Sequence, residues 1–363
     1  MLQPLRSHLS QLRCGTALEQ GTLLAIPLFG PDSGPRVRAL RKAMENHHAR
    51  VTEVSERGSV QQVQVENRGP LPLLLFDGEE LIGAKQNRIV NTTLLVPAGV
   101  RLVIPVSCVE SGRWARRTDA FESSTRTLPS SLRARKAGRM MESLRATGTY
   151  DAGQHEVWND VTAYLTSRRV ESSTRCLSDA LEADHARTQE LVDRLAPQVG
   201  QVGLAVWIDG QLAGIEVTGR ADTWIQIHEL VSRCFAHEAI ARSGKLAFPS
   251  GRARPRRSRR FDLAEIIRNE QGDPSHPEPN RPPDLRLVED EDVARTPPLQ
   301  GETDPTDEPT PSPLELLESA LTGRATAHQS PGMGSSIQVD TEQLNACALN
   351  LDQELIHLSV YPS

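Results

Sequence analysis

The sequence predicts an α+β fold: a mostly antiparallel sheet with covering helices, in a single domain that carries a long disordered insertion before its C-terminal strand. Three observations predict it. Residues 51–54 and 60–65 alternate with period two and one polar face, which marks antiparallel strands, and apolar or β-branched-rich runs follow at 71–76, 94–96 and 100–106. Apolar residues at helical spacing then occupy much of residues 132–243. After residue 250 the composition turns to Arg, Pro and acids, and a strand pattern returns only at Leu355-Ile-His-Leu-Ser-Val-Tyr361.

Taken in order, residues 21–29 read as a strand that stops at Gly30-Pro31, with Pro27 placing it at an edge or bulge. Residues 36–48 carry Val37, Leu40, Ala43 and Met44 at helical spacing, and the adjacent His47 and His48 point apart, as at a solvated helix end. Residues 51–54 and 60–65 alternate, with Val63 and Val65 inward and Gln62, Gln64 and Glu66 outward. The β-branched runs 94–96 and 100–106, joined by Pro97-Ala98-Gly99, are expected to form a hairpin. Helices are expected over 132–144, capped by Ser130 or Ser131, then over 151–168 and 172–195. Asp209-Gly210 suits a type I′ turn between strands 202–208 and 212–217, where Glu216 stands out as an acid between Ile215 and Val217. An amphipathic helix over 222–243 packs on the sheet through Trp224, Ile227, Leu230 and Val231.

Residues 251–312 combine low hydrophobicity, many prolines and blocks of like charge, and so cannot bury enough apolar area to offset chain entropy. They are expected to be disordered, dividing the chain into a domain over 15–250, the insertion, and a returning piece over 313–363. A short helix near 314–321 can float in this region. The final strand must rejoin the sheet, because alone its backbone groups would lack partners.

Bulk properties narrow the function. The net charge of −6 over 363 residues argues against nucleic acid as a partner, although residues 252–260 form a local basic cluster. Cys14, Cys108, Cys176, Cys234 and Cys347 lie far apart without a CxxC pair, as free thiols of a reducing cytoplasm would. No run of about 18 apolar residues calls for a membrane, and the N-terminus lacks a signal-peptide core, so a cytoplasmic location is expected. GxGxxG, Walker A, GxSxG and HExxH motifs are absent, no metal ligand set is read from the spacing, and no cofactor is assigned.

Chemistry concentrates in residues 71–114, where strand-like runs end in Asp77, Glu79, Glu80, Gln86, Asn87, Arg88, Asn91, Cys108, Glu110, Arg113 and Trp114. Donors, acceptors and a stacking surface within about one strand length are what a polar ligand needs. Asp77, Glu80 and Glu110 are candidate catalytic acids or bases. Arg88, Arg113 and Lys136 can meet phosphate, Gln86, Asn87 and Asn91 a ribose or base edge, and Trp114 can stack on it. The plainer reading of the same residues is a hydrogen-bond network inside the sheet, with Cys108 a small buried hydrophobe. The basic helix holding Arg133, Lys136 and Arg139 can likewise clamp an anion or present a solvated face, and His155 is a lone acid/base candidate or a surface residue.

The block Gly78-Glu-Glu-Leu-Ile-Gly-Ala-Lys-Gln-Asn-Arg-Ile-Val-Asn91, then Leu95-Val-Pro97 and Ile104-Pro-Val-Ser-Cys-Val-Glu-Ser-Gly-Arg-Trp114, resembles the bacterial ARPP-type domain family. That family is named for its association with ADP-ribosylglycohydrolases and rhodanese/phosphatase-superfamily proteins. The resemblance covers about residues 15–250 and resumes at the last strand. It implies a place in NAD or ADP-ribose metabolism, with a nucleotide-derived phosphorylated small molecule as ligand and ADP-ribose-processing proteins as partners. The alternative is a non-catalytic scaffold or protein-interaction module whose polar cluster is structural.

Overall fold

The computed structural model describes residues 2–245 and 311–363, so most of the segment expected to be disordered lies outside the described residues. In chain order, α1 (Gln3–Leu9) precedes β1 (Arg13–Cys14), β2 (Leu18–Gln20), β3 (Leu23–Phe29), β4 (Arg38–Ala39) and α2 (Leu40–Glu45). Next come β5 (Ala49–Glu53), β6 (Gln62–Asn67), β7 (Leu73–Leu75), β8 (Glu79–Gly83), β9 (Arg88–Val90), β10 (Leu94–Val96), β11 (Arg101–Cys108) and β12 (Phe121–Thr127). Helices α3 (Ser130–Thr147), α4 (Gln154–Arg168), α5 (Leu177–Ala183) and α6 (His185–Arg194) lead to β13 (Gln201–Ile208), β14 (Gln211–Thr218) and α7 (Ala221–Lys245). The described chain closes with α8 (Pro313–Ala320), β15 (Arg324–Gln329), β16 (Ser335–Asp340), β17 (Leu344–Leu351) and β18 (Glu354–Pro362).

The fold is α+β and mostly antiparallel, as the sequence predicts. A nine-stranded sheet runs β1-β3-β13-β14-β18-β17-β16-β15, with β2 beside β3. A closed barrel runs β11-β6-β5-β12-β8-β9, and a three-stranded sheet β10-β7-β4 accompanies it. All pairings are antiparallel except β4 with β7. The barrel is packed from inside by Val51, Val63, Val65, Leu81, Ile104 and Phe121, the inward positions of alternating strands. On the large sheet, Trp224, Ile227, Val231 and Phe235 of α7 pack against Leu204, Val206 and Ile208 of β13. A third core joins Val109, Leu132, Val157, Val161 and Leu177 where α3, α4 and α5 meet the barrel.

Several sequence expectations change. The runs 94–96 and 100–106 do not form a hairpin: β10 pairs with β7 and β11 with β6 and β9. The turn at Pro97-Ala98-Gly99 exists, but Asn67 captures it, donating through Nδ2 to the carbonyls of Leu71, Val96 and Pro97 at 2.9, 3.0 and 3.0 Å. Those bonds divert the chain from one sheet to the other. Asn67→Ala is expected to cost about 1–3 kcal/mol of unfolding free energy in urea, because the buried Val96 carbonyl and the half-buried Leu71 and Pro97 carbonyls lose this donor. Helix α2 starts only at Leu40, since Arg38 and Ala39 pair with Leu73 and Leu74. The helix expected over 172–195 breaks at Asp184 into α5 and α6. Helix α8 does not float: Leu317 and Ala320 are buried, and Arg6 donates to the Leu321 carbonyl.

The returning C-terminal piece is a four-stranded meander rather than one strand. Strand β18 joins β14 with Glu216 opposite Ser359. This register sets up the first buried cluster described next.

Candidate functional site

The polar residues of 77–114 fall into two buried networks. The first lies where α3 meets the turn before β8, the strand β14 and the strand β18. Asp77 sits in that turn, followed by Gly78 at φ +78, a backbone state that favours glycine. A Cβ at Gly78 would come within 3.1 Å of the Arg133 side chain, so the turn also makes room for the arginine stem.

Arg133, fully buried on α3, donates from Nε to Asp77 Oδ2 at 3.3 Å, from Nη1 to Glu216 Oε1 at 2.7 Å and from Nη2 to Ser359 Oγ at 3.4 Å. Its guanidinium carbon stands 4.4 Å from the Phe76 ring centre and 5.3 Å from that of Tyr361. Lys136, one turn further along α3, donates to Asp77 Oδ1 and to the Asn91 carbonyl. Glu216 Oε2 meets His357 Nε2 at 2.8 Å and accepts from Ser359 Oγ at 2.7 Å, while Tyr361 OH donates to Oε1 at 3.3 Å. Thr93 Oγ1 accepts from the Asp77 amide and faces His357 Nδ1 at 3.1 Å. With a carboxylate at Nε2, the proton of a neutral His357 sits there and Thr93 donates to Nδ1.

The electrostatics follow the geometry. Burial works to raise the Glu216 carboxyl, but the Arg133 charge and the His357 bond hold it below the usual carboxylate range. Burial works against the Arg133 cation, yet Glu216 keeps it charged, with its pKa well above the ordinary value. Burial lowers Lys136 against the pull of Asp77. Beside Asp77, Thr93, Cys347 and Ser359 lies a cavity of about 20 Å³, room for about one water.

The second network closes one mouth of the barrel. Glu110 and Arg113 form a two-point ion pair, Nε to Oε1 at 2.8 Å and Nη2 to Oε2 at 2.6 Å. Arg113 also donates to the carbonyls of Ala84 and Ala115 at 2.9 Å each, and to Asn87 Oδ1 at 3.2 Å. Glu110 further accepts from the Asn87 amide and the Thr174 hydroxyl. Burial pushes Glu110 upward, but Arg113 and these donors hold it below the ordinary value.

Gln86 donates to the Glu110 carbonyl at 2.9 Å and accepts from Arg88 at 3.1 Å. Asn87 donates to Ser178 at 3.0 Å, and Ser178 in turn donates to Glu80 Oε1 at 2.6 Å. Burial pushes Glu80 up to about 7, and its Oε2 is a buried oxygen with no partner among the described residues. Cys108 donates to Gln86 Oε1, and burial raises its thiol, so it stays a protonated core residue and not a thiolate.

Asn91 links the two networks. Its carbonyl accepts from Lys136, its Nδ2 donates to the Tyr150 carbonyl at 3.0 Å, and its Oδ1 accepts from Ser107 at 2.8 Å. The sequence-selected residues are therefore divided: Asp77 and Lys136 in the first network, Glu80, Gln86, Asn87, Arg88, Glu110 and Arg113 in the second, with Asn91 between. Trp114 is 47% exposed outside both, with Lys85 Nζ 5.3 Å and Arg88 Cζ 5.6 Å from its ring centre. His155 is exposed on α4.

Sequence reading placed Arg133 on the candidate anion-clamping helix and left His357, Ser359 and Tyr361 out of the site. A signal for the last three was present, since positions 357, 359 and 361 share one face of β18 and put His, Ser and Tyr at period two in an otherwise apolar strand.

Fold and networks together define an α+β protein whose barrel carries buried charge both at one mouth and against the large sheet. The chain belongs to the ARG and Rhodanese-Phosphatase-superfamily-associated Protein domain family, whose model matches residues 11–294. Strand β18, which supplies His357, Ser359 and Tyr361, lies beyond the matched span. Neither a curated protein nor a solved structure matches the chain. Among the described residues no helix is long and apolar enough to cross a membrane.

Proposed function

We propose that the chain is a non-catalytic scaffold or protein-interaction module in which the polar residues of 77–114 are internal struts. The observation that carries this reading is the Arg113 guanidinium, whose Nε, Nη1 and Nη2 all donate to Glu110, Asn87 and backbone carbonyls, leaving it little capacity for a ligand. Glu110 is equally occupied, by Arg113, Thr174 and the Asn87 amide.

A second reading rests on the unpartnered Oε2 of Glu80 and on the family's association with ADP-ribosylglycohydrolases. In it the chain binds or processes an ADP-ribose- or NAD-derived phosphorylated small molecule, once the barrel mouth opens. Glu80, Glu110 and Asp77 then act as acids or bases, and Gln86, Asn87, Arg88, Asn91, Arg113, Trp114 and Lys136 hold the ligand. ADP-ribose-processing proteins are the partners that go with it.

Arg113→Ala separates the two. As a strut, Arg113 is expected to contribute about 2–3 kcal/mol to stability in urea, since its loss strands the Glu110 carboxylate. Under the second reading the variant also loses a thermal shift that ADP-ribose or NAD gives the wild type, a shift absent altogether if Arg113 is only a strut. A ligand at about 100 times its dissociation constant adds roughly 2.7 kcal/mol, well within reach of a melt.

A further inference from the structure

Outside both networks, the barrel wall carries a cleft of about 460 Å³ that neither reading uses. Its size falls within the range of small-molecule sites, but its lining does not resemble an apolar pocket: every lining residue is polar or charged. The strands explain why. Outward positions of β5, β6 and β11 form the floor, and the register sets Arg50 opposite Glu66 and Glu66 opposite Arg101. Arg50, Glu66 and Arg101 therefore lie in one row across three neighbouring strands, spaced by roughly 4.8 Å per strand.

Charge in that row does not balance. Arg101 donates to Glu66 Oε1 at 2.9 Å, and Arg68, just past β6, donates to Oε2. Hydrogen bonds from Arg68 and Arg101 hold Glu66 down at about 2, so it stays a carboxylate. Arg50 also lines the cleft and pairs with no carboxylate among the described residues. Three guanidinium groups thus surround one carboxylate in this row, a local excess of positive charge, while the whole lining, with Arg116 paired to Asp119 and with Glu53 and Glu56, holds four cations and four anions. Guanidinium pairs grip the oxygens of a phosphate two at a time, whereas a single carboxylate can satisfy only part of three such forks.

The rest of the lining has a different chemistry. Thr52, Ser55 and Gln64 offer hydroxyl and amide groups, and Glu56 stands beyond Glu53, which ends β5 about 10 Å from Arg50 and turns its carboxylate inward to the Lys85 amide at 3.3 Å and to Arg88 at 3.9 Å. Acids and hydroxyls at that distance suit the hydroxyl groups of a ligand body and would repel a second phosphate.

We propose that this cleft binds a phosphorylated polyol of the sugar-monophosphate class, its phosphate held by Arg50, Arg68 and Arg101 and its hydroxyls facing Thr52, Ser55 and Gln64. None of the residues assigned to the ligand belongs to the buried networks, so the inference stands or falls apart from the strut reading. Arg50 and Arg101 are exposed, so replacing them leaves the fold and the melting temperature unchanged.

The test is calorimetric titration of the full chain with ribose 5-phosphate, inorganic phosphate and ribose, at low and at raised salt. Ribose 5-phosphate is expected to bind more tightly than inorganic phosphate, and ribose not at all, with affinity falling as salt rises. Arg50→Ala with Arg101→Ala should weaken the sugar phosphate at least 10-fold without moving the melt. Glu66→Gln should tighten it, because a competing anion is removed. Failure of ribose 5-phosphate to bind, or binding that survives the double arginine variant, overturns the proposal. Equal affinity for inorganic phosphate and ribose 5-phosphate overturns the polyol assignment. Loss of binding in Arg113→Ala but not in the arginine pair moves the ligand to the barrel mouth and contradicts the cleft.

Discussion

Arg133→Met is expected to lower the unfolding free energy by about 3–5 kcal/mol, the usual cost of removing one partner from a buried ion pair. The side chain is fully buried, and Met fills most of its volume, so the loss is electrostatic rather than a cavity effect. What is stranded is Glu216, also fully buried, whose carboxylate then keeps its bonds with His357, Ser359 and Tyr361 but has lost its guanidinium partner. Asp77 suffers less, because Lys136 remains on it. A double-mutant cycle sharpens the prediction. Without Arg133 the Glu216 carboxyl takes up a proton, so adding Glu216→Gln should cost little more, and the double variant should be about as stable as Arg133→Met alone. Losses that simply add in urea denaturation would show that the two residues do not act as a pair.

The strands and helices of this fold were readable where a local period carried them. Val63 and Val65 against Gln62 and Gln64, or Asp209-Gly210 between two apolar runs, are decided by neighbours in sequence. Barrel closure was not readable. It depends on β11 meeting both β6 and β9, pairings between segments whose patterns are equally compatible with an open sheet. The hairpin expected at Pro97-Ala98-Gly99 failed for a related reason: one side chain, Asn67, about 30 residues upstream, overrides a sound local turn signal.

The site shows the same limit more strongly. Consecutive Gln86, Asn87 and Arg88 look too polar for a structural role when read alone. In the fold each has internal partners, including the Glu110 carbonyl, Ser178 and the Ser59 carbonyl. A closed barrel end exposes turn carbonyls such as those of Gly83, Ala84 and Ala115, and buried carbonyls need donors. Several of the donors in 77–114 serve these carbonyls. The other network joins residues as far apart as Arg133 and Ser359, separated by 226 positions, and no local pattern could pair them. Glu216 was visible as an acid between apolar neighbours on a strand, and a basic helix with Arg133 and Lys136 was visible too, but not that Arg133 is the counter-charge of Glu216.

Raising the pH from about 4.5 to about 7 is expected to destabilise the protein, with two adjacent glutamates of β8 as the cause. Burial pushes both Glu79 and Glu80 up to about 7, against the bonds they accept from Ser123 and Ser178. They point to opposite faces of the strand, so each meets its own environment: Glu79 the Ser123 hydroxyl and the Phe76 amide, Glu80 the Ser178 hydroxyl. In the unfolded chain both lose their protons near 4.5, whereas the folded chain keeps them until about 7. Between those values the folded state binds more protons, so stability falls as pH rises and levels off above 7. At about 1.4 kcal/mol per pH unit, the loss is on the order of 3 kcal/mol for each group. Glu216 and Glu110, held low, act in a different window: their contribution is present above the ordinary carboxylate value and is lost only in more acidic solution. Glu80→Gln keeps an acceptor for Ser178 and removes the ionisation. It should match the wild type within about 1 kcal/mol at pH 5, exceed it at pH 8, and flatten about half of the slope between. Unfolding free energies across that range decide the matter, since parallel profiles for wild type and Glu80→Gln would mean that Glu80 ionises in the folded barrel as freely as in water.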